Sequence, residues 1–182
     1  MSNTNDFVIE NGVLEKYIGS DENVVIPKGI TEIADYAFDC CEDMVDVDIP
    51  DTVGEIGEGA FSSCTELRSV RIPYGVTEIK EGTFATCISL ESVEIPCTVG
   101  MIGECAFSEC RSLRTVVIPE GVKNIEEEAF GFCEDLVITI PDSIEWIYPF
   151  TFKHSKNITI KGSSGSKAEE YAEDYGFKFE KI

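Results

Sequence analysis

The sequence predicts an α/β repeat solenoid, with a parallel β-sheet on one face and short helical or 3-10 turns on the other. The dipeptide Ile-Pro recurs every 23 residues, with one spacing of 22, at Ile26-Pro27, Ile49-Pro50, Ile72-Pro73, Ile95-Pro96, Ile118-Pro119 and Ile140-Pro141. A phenylalanine recurs in step at Phe38, Phe61, Phe84, Phe107, Phe130 and Phe152. A cysteine recurs at Cys41, Cys64, Cys87, Cys110 and Cys133, and is replaced by Ser155 in the last unit. Because so short a unit cannot bury its apolar side chains alone, successive units are expected to stack.

The residues before each Ile-Pro predict a strand. In the segment that begins at Leu67, apolar and polar residues alternate, so Val70 and Ile72 are expected to point inward and Ser69 and Arg71 outward. Strands of successive units are expected to pair in parallel, about 4.8 Å apart. The proline that follows has no N–H and therefore ends the pairing.

The stretch Ala-Phe-x-x-Cys predicts one short helical turn on the opposite side of the unit. An acidic residue stands three positions before most of the repeated phenylalanines, at Asp35, Glu58, Glu81, Glu104 and Glu127. At the N-terminus of a helical turn a negative charge is favourable. The same row of carboxylates is a candidate for weak Ca²⁺ binding, and the simpler interpretation is a solvated acidic face.

Both ends of the chain predict caps. Asn11-Gly12 lies between alternating apolar residues and predicts a β-hairpin over residues 1–23. In residues 161–182, Ser166 and Glu169 form a capping box before a helical pattern, and Gly176 predicts the end of that helix. About six repeats fill residues 24–160, so residues 1–182 are interpreted as a single domain.

The repeat Leu-x-x-Val-x-Ile-Pro-x-x-Val-x-x-Ile-x-x-x-Ala-Phe-x-x-Cys resembles that of the BspA-like class of bacterial leucine-rich-repeat proteins. The resemblance covers roughly residues 24–160. It implies a leucine-rich-repeat solenoid that binds another protein through an extended rigid surface.

Charge and hydropathy limit the partners. Lys and Arg number 14 against 35 Asp and Glu, for a net charge of −21. This balance argues against nucleic acid and against anionic membrane surfaces, both of which need cations on the protein. No apolar run reaches the roughly 18 residues of a membrane-spanning helix. We therefore expect no membrane insertion, and the caps favour a monomer.

The start of the chain has no basic region followed by an apolar block, which a secretory signal would require. The expected location of the chain as it stands is the cytoplasm. The alternative is a cell-surface or secreted protein whose signal has been removed. An exposed free thiol at Cys97 would favour a reducing compartment.

No residue pattern predicts catalysis. His154 is the one histidine, and its neighbours Lys153 and Ser155 occupy ordinary repeat positions. The carboxylates recur in columns and do not converge as an acid–base pair must. The cysteine column is expected to be buried, and a linear column does not converge on a metal ion. We expect no enzyme, no cofactor and no metal site.

A few residues depart from two columns that are otherwise polar and expected to be exposed. They are Tyr74, Cys97, Met101 and Trp146. Aromatic residues and methionine are enriched at interfaces, so these four are the first candidates for a contact surface. Trp146 has an alternative interpretation, in which it packs with Tyr148 and Phe150 under the C-terminal cap. The outward strand positions, among them Arg71 and Glu94, form the second candidate surface.

The sequence thus predicts a non-enzymatic protein–protein interaction module with an unidentified partner. Two alternatives stay open: a cell-surface adhesin, and a solenoid that binds carbohydrate or cations. An upstream signal in the gene would favour the adhesin, and stabilisation by a ligand would favour the second alternative.

Overall fold

The computed structural model describes residues 4–182, so residues 1–3 of the predicted N-terminal cap lie outside the described part. A short 3-10 turn at Thr4–Asp6 leads into strands β1 (Phe7–Glu10) and β2 (Val13–Tyr17), which pair antiparallel around Asn11 and Gly12. Both turn residues have positive φ, as a two-residue hairpin turn requires. Strand β2 then pairs in parallel with the next short strand and closes the first coil.

Each following coil contributes one strand to each of two ladders. The long-strand face contains β3 (Asn23–Val25), β5 (Asp46–Asp48), β7 (Ser69–Arg71), β9 (Ser92–Glu94), β11 (Thr115–Val117), β13 (Val137–Thr139), β15 (Thr159–Gly162) and β16 (Lys178–Lys181). The short-strand face contains β4 (Glu32–Ile33), β6 (Glu55–Ile56), β8 (Glu78–Ile79), β10 (Met101–Ile102), β12 (Asn124–Ile125) and β14 (Trp146–Ile147). The protein is therefore a β-solenoid of stacked parallel strands.

The register follows the repeat. Ser69 lies opposite Ser92 and Val70 opposite Val93, so residues 23 positions apart are neighbours across the ladder. Val70 and Ile72 are buried while Ser69 and Arg71 are exposed, which confirms the predicted alternation. Within residues 4–182 each face is interrupted once, between β9 and β11 on the long-strand face and between β6 and β8 on the short-strand face.

Stacked phenylalanine rings run along the centre of the solenoid. Successive rings from Phe38 to Phe152 lie 4.9 to 5.9 Å apart between centroids, with interplanar angles of 7 to 19°. Tyr17 of β2 stacks on the first ring at 5.3 Å, and Tyr171 meets the last one edge-on at 6.0 Å. Each aromatic side chain buries a large area, so this ladder dominates the apolar core.

The expected helical or 3-10 turns on the side of the Ala-Phe-x-x-Cys stretch are not formed. In the second coil Gly59 and Ser63 have φ of 56° and 58°, and the same two positions have positive φ in the other coils. These left-handed residues interrupt any helix. The N–H groups of Gly59, Phe61 and Ser63 instead donate to carbonyl oxygens of the next coil at 2.8 to 2.9 Å. The N–H groups between them, of Ala60 and Ser62, donate within the coil to the third residue before each. Hydrogen bonds between coils thus alternate with single-turn bonds within a coil, and no continuous helix forms.

The described chain contains one α-helix, α1 (Lys167–Tyr175), after the last coil. The N-cap residue of the helix is Ser166, whose hydroxyl oxygen accepts a hydrogen bond from the N–H of Glu169 at 3.3 Å. Gly176 ends the helix with φ of 73°. Ala168, Tyr171 and Ala172 are buried against the last coil, and β16 extends the long-strand face in parallel with β15. Among the described residues, no helix is long and apolar enough to cross a membrane.

Candidate interaction surface

The corner between the two strand faces carries most of the exposed apolar residues predicted as contact sites. Tyr74 and Cys97 follow the prolines of successive coils, at the turn that joins the long-strand face to the short-strand face. Tyr74 is 67% exposed, and Cys97 is also exposed. Met101 lies four residues beyond Cys97, at the start of β10, and is half-buried. The repeat thus brings these three side chains to one region of the solenoid.

The short-strand face divides into two halves of different chemistry. The parallel register aligns Met101 with Asn124 and Asn124 with Trp146, so the methionine and the tryptophan lie two strands apart on one face. At the N-terminal end of the same face the outward residues are Glu32, Glu55 and Glu78. We call the group Tyr74, Cys97, Met101, Asn124 and Trp146 the corner surface.

Arg71 and Glu94 lie side by side on the long-strand face, at the ends of β7 and β9. The guanidinium of Arg71 does not pair with its neighbour. It donates instead to the carboxylate of Asp51 at 2.9 Å, on the corner of the preceding coil. Such an exposed ion pair contributes little to stability. The second candidate surface is therefore a polar strip next to the corner surface.

Trp146 also lines a cleft of about 290 Å³ between β14 and helix α1. The indole is 54% exposed and meets the ring of Tyr148 edge-on at 6.1 Å. The other residues that line the cleft are Glu145, Ile147, Pro149, Lys167, Glu170, Tyr171, Asp174 and Tyr175. The C-terminal cap thus forms one wall of the cleft and leaves the indole accessible. Phe150 does not line the cleft and is exposed.

The predicted acidic column does not have the role expected of it. Since no helix forms there, its carboxylates do not cap helical turns. The Asp35 carboxylate instead accepts the N–H of Glu58 in the next coil at 2.8 Å. Within residues 4–182, no three Asp, Glu, His or Cys side chains are grouped closely enough to hold a metal ion.

The cysteine column lies in the core, as predicted: Cys64, Cys87, Cys110 and Cys133 are buried, and Cys41 is partly buried. Burial raises the pKa of Cys133 to about 12 and raises that of Cys110, so both thiols are protonated at neutral pH. Protonated, buried thiols are poor nucleophiles and poor metal ligands.

The thiols also make hydrogen bonds that the sequence interpretation missed. Each donates to the carbonyl oxygen of the phenylalanine in the preceding coil: the Sγ–O distances are 3.2 Å for Cys64, 3.2 Å for Cys87, 3.3 Å for Cys110 and 3.5 Å for Cys133. In the last coil the hydroxyl of Ser155 replaces the thiol and donates to the Phe130 carbonyl at 2.8 Å. The serine at position 155 of the cysteine column was the feature of the sequence that could have predicted these hydrogen bonds.

His154 is exposed, and its ring lies 4.9 Å from that of Phe132 between centroids. No hydrogen bond joins the imidazole to a Ser or Cys side chain in the described part of the chain. The geometry therefore does not form a nucleophile–base pair around this histidine.

Stacked parallel strands, a phenylalanine ladder and a repeated Leu-x-x-Val-x-Ile-Pro unit define a leucine-rich-repeat protein. The chain belongs to the family described as the BspA type leucine rich repeat region, whose model matches in six copies over residues 9–110 and 77–172. Repeat proteins of this kind are generally non-enzymatic scaffolds that bind other proteins.

Solved structures show the same fold. The T. pallidum leucine-rich repeat protein is 26% identical, with a TM-score of 0.74, over 98% of this chain and 97% of that chain. A leucine-rich repeat protein from Bacteroides ovatus is 26% identical with a TM-score of 0.67, over 87% of this chain and 53% of that one. One from Eubacterium ventriosum is 22% identical, with a TM-score of 0.69, over 85% and 51%.

This chain thus spans about half the length of the Bacteroides and Eubacterium proteins. No protein in the curated set matches the sequence significantly.

Proposed function

We propose that this protein is a non-enzymatic scaffold that binds another protein through the corner surface. The observation that carries the proposal is the exposure of large apolar side chains on a rigid frame. Tyr74 and Trp146 are exposed and Met101 is half-buried, on coils whose backbones are fixed by hydrogen bonds to both neighbours. Because the backbone is already ordered, binding needs no further ordering of the backbone, which favours affinity.

The surroundings of the corner surface support the choice. Aromatic residues and methionine are enriched at the energetically important centres of interfaces, and charged residues are depleted there. Met101, Asn124 and Trp146 form an uncharged row in a chain with a net charge of −21. The acidic half of the same face, at Glu32, Glu55 and Glu78, would then form a polar rim.

Capture from lysate and from culture-surface extract tests the proposal. The protein is immobilised in three forms: wild type, the double variant Tyr74→Ser/Met101→Ser, and the control Ile18→Ser. Ile18 is 64% exposed at the N-terminal end of the solenoid, so its loss matches that of Tyr74 in exposure but not in position. A stoichiometric protein that binds wild type and control but not the double variant supports the proposal. A captured protein that binds all three forms equally contradicts the corner surface.

The long-strand face is the second candidate for the same function. Val25 and Val117 project from it and are exposed, in the same outward column as Arg71 and Glu94. If the double variant still captures the partner but Val117→Ser does not, the contact lies on the long-strand face.

The compartment follows from the same capture. Cys97 is exposed and forms no disulfide in the described chain, which supports a reducing, cytoplasmic setting. A partner captured only from the surface extract would support the alternative of a cell-surface adhesin.

A further inference from the structure

The cleft between β14 and helix α1 combines aromatic walls with a charged rim. Trp146, Ile147 and Pro149 form one side, and Tyr171 and Tyr175 form the other. Trp146 and Tyr175 are 54% and 45% exposed, so both rings are accessible to a bound group. Concave sites with apolar walls and a few polar groups are the common form of binding pocket.

The rim of the cleft is negative. Lys167 is the one cation among the lining residues, and its ammonium lies 2.7 Å from the carboxylate of Glu170. Glu145 is paired at 3.0 Å with Lys123, which lies outside the cleft. Asp174 forms no ion pair among residues 4–182. One carboxylate therefore faces the cleft without a counter-charge.

The position of Asp174 breaks a local rule of helix design. It lies in the last turn of α1, which contains no basic residue. The C-terminus of a helix carries a partial negative charge, so cations are the charges that stabilise it. Breaks in local rules of this kind are expected at functional sites. A cation in the cleft would offset both Asp174 and the helix end.

We propose that this cleft receives an arginine side chain from a basic segment of the partner. The guanidinium would lie against the face of Trp146, which is the aromatic ring that attracts cations most strongly. The aliphatic part of the side chain would contact Ile147 and Pro149, and its charge would face Asp174. A planar guanidinium stacks on an aromatic ring better than a lysine ammonium does, so lysine is expected to bind more weakly.

This inference rests on the proposed function, because it names the chemistry of the partner at one end of the corner surface. The net charge of −21 favours a basic partner on general grounds. The cleft adds a specific position at which such a partner would be recognised.

Trp146 is the single tryptophan of the chain, so its indole N–H resonance reports directly on the cleft. The experiment titrates ¹⁵N-labelled protein with N-acetyl-arginine amide, N-acetyl-lysine amide and N-acetyl-citrulline amide. Citrulline has the shape of arginine without its charge. Arginine amide is expected to shift the indole resonance saturably, and citrulline amide to bind at least about fivefold more weakly. No saturable shift with arginine, or equal binding of citrulline, would overturn the proposal.

Two variants distinguish arginine binding in the cleft from a general attraction of cations by the negative charge of the protein. Asp174→Asn removes the unpaired carboxylate and is expected to weaken arginine binding about threefold or more and to reduce its dependence on salt. Glu173→Gln is the matched control, because Glu173 is exposed on the same turn of α1 but does not line the cleft. Equal weakening by the two variants would overturn the proposal in favour of a general attraction of cations.

The titration needs no partner, so it can fail independently of the proposed function. Suppose that the wild type binds a partner, that Tyr74→Ser/Met101→Ser does not, and that arginine amide does not bind. This combination rejects the arginine site in the cleft and leaves the proposed function intact. Arginine binding in a protein that captures no partner rejects the scaffold function, and with it the partner as the source of the arginine, but leaves the cleft as a guanidinium site.

Discussion

The buried cysteine column leads to a prediction about a single substitution. The thiol of Cys110 is completely buried and lies 3.3 Å from the carbonyl oxygen of Phe84. Burial raises its pKa, so the thiol keeps its proton and can donate. In the last coil the equivalent residue is Ser155, which makes the same bond to Phe130 at 2.8 Å. We therefore expect serine to be accepted at position 110, although the site lies in the apolar core.

The size of the effect follows from the two replacements Cys110→Ser and Cys110→Ala. Alanine loses the donor and leaves a small void, and a lost neutral hydrogen bond costs about 1 kcal/mol. Serine keeps the donor, with an acceptor already in place. We predict that the serine variant is more stable than the alanine variant by about 0.5–1.5 kcal/mol. If the column needed only small apolar side chains, a buried hydroxyl without a partner would instead cost about 1–3 kcal/mol.

Urea unfolding of both variants, followed by circular dichroism in the presence of reductant, measures this difference. If the two variants have equal m-values, their free energies of unfolding can be compared directly. The same pair of substitutions at the exposed Cys97 is the control and is expected to change stability by less than about 0.5 kcal/mol. A Cys110→Ser variant that is less stable than Cys110→Ala would refute the hydrogen-bonding role of the column.

Three further predictions concern the core and the acidic surface. Phe84 is completely buried, and its ring lies 5.4 Å from the phenylalanine rings of both neighbouring coils. Phe84→Ala is therefore expected to lower the free energy of unfolding in urea by about 3–5 kcal/mol. A loss below about 1 kcal/mol would contradict the claim that the phenylalanine ladder dominates the core. Burial, with the charge of Glu104, raises the pKa of Glu126, so its ionised form opposes folding. Solvent screens this half-buried carboxyl, so Glu126→Gln is expected to raise the free energy of unfolding at pH 7 by at most about 0.5 kcal/mol. The gain, read as a slightly higher Tm, should vanish as acid protonates the wild-type carboxyl. Millimolar Ca²⁺ is expected to leave the Tm unchanged, because the Asp35 carboxylate already accepts a backbone N–H; a rise in Tm would restore the calcium hypothesis.

The repeat period was sufficient to predict the long-strand register. Parallel stacking places each column on itself, so Ser69 must lie opposite Ser92 once the unit is known to be 23 residues long. The alternation of Val70 and Arg71 then determines which side chains are buried. These features depend on local pattern alone, which a sequence displays directly.

The turn side could not be predicted in the same way. Residues such as Tyr36 and Cys40 adopt positive φ although they are not glycines, with values of 55° and 59°. Their conformation is stabilised by hydrogen bonds to the next coil, from Tyr36 N–H to Glu58 O and from Cys40 N–H to Ser62 O, both at 2.9 Å. Contacts between coils override the local preference of each residue here, and the sequence of one unit does not display them.

Of the candidate sites, one could be predicted from the repeat and the other could not. The departures at Tyr74 and Met101 were visible because a repeat defines what each column should contain. The cleft beside Trp146 was not, because its second wall comes from α1, which lies outside the repeat. Of the packing predicted for Trp146 under the cap, the structure contains the edge-on contact with Tyr148, but the indole and Phe150 are exposed. The role of Trp146 in a contact surface stays a prediction. The assignment of the corner surface to partner binding stays a prediction.

The affinity of a captured partner for defined variants tests the central claim most directly. Isothermal titration calorimetry would compare wild type, Tyr74→Ser/Met101→Ser and Ile18→Ser at the same ionic strength. Loss of two side chains from the centre of an interface is expected to weaken binding at least about tenfold, while the control changes it by less than about twofold. Equal affinities for all three proteins, with unchanged Tm values, would contradict the account and place the binding site elsewhere on the solenoid.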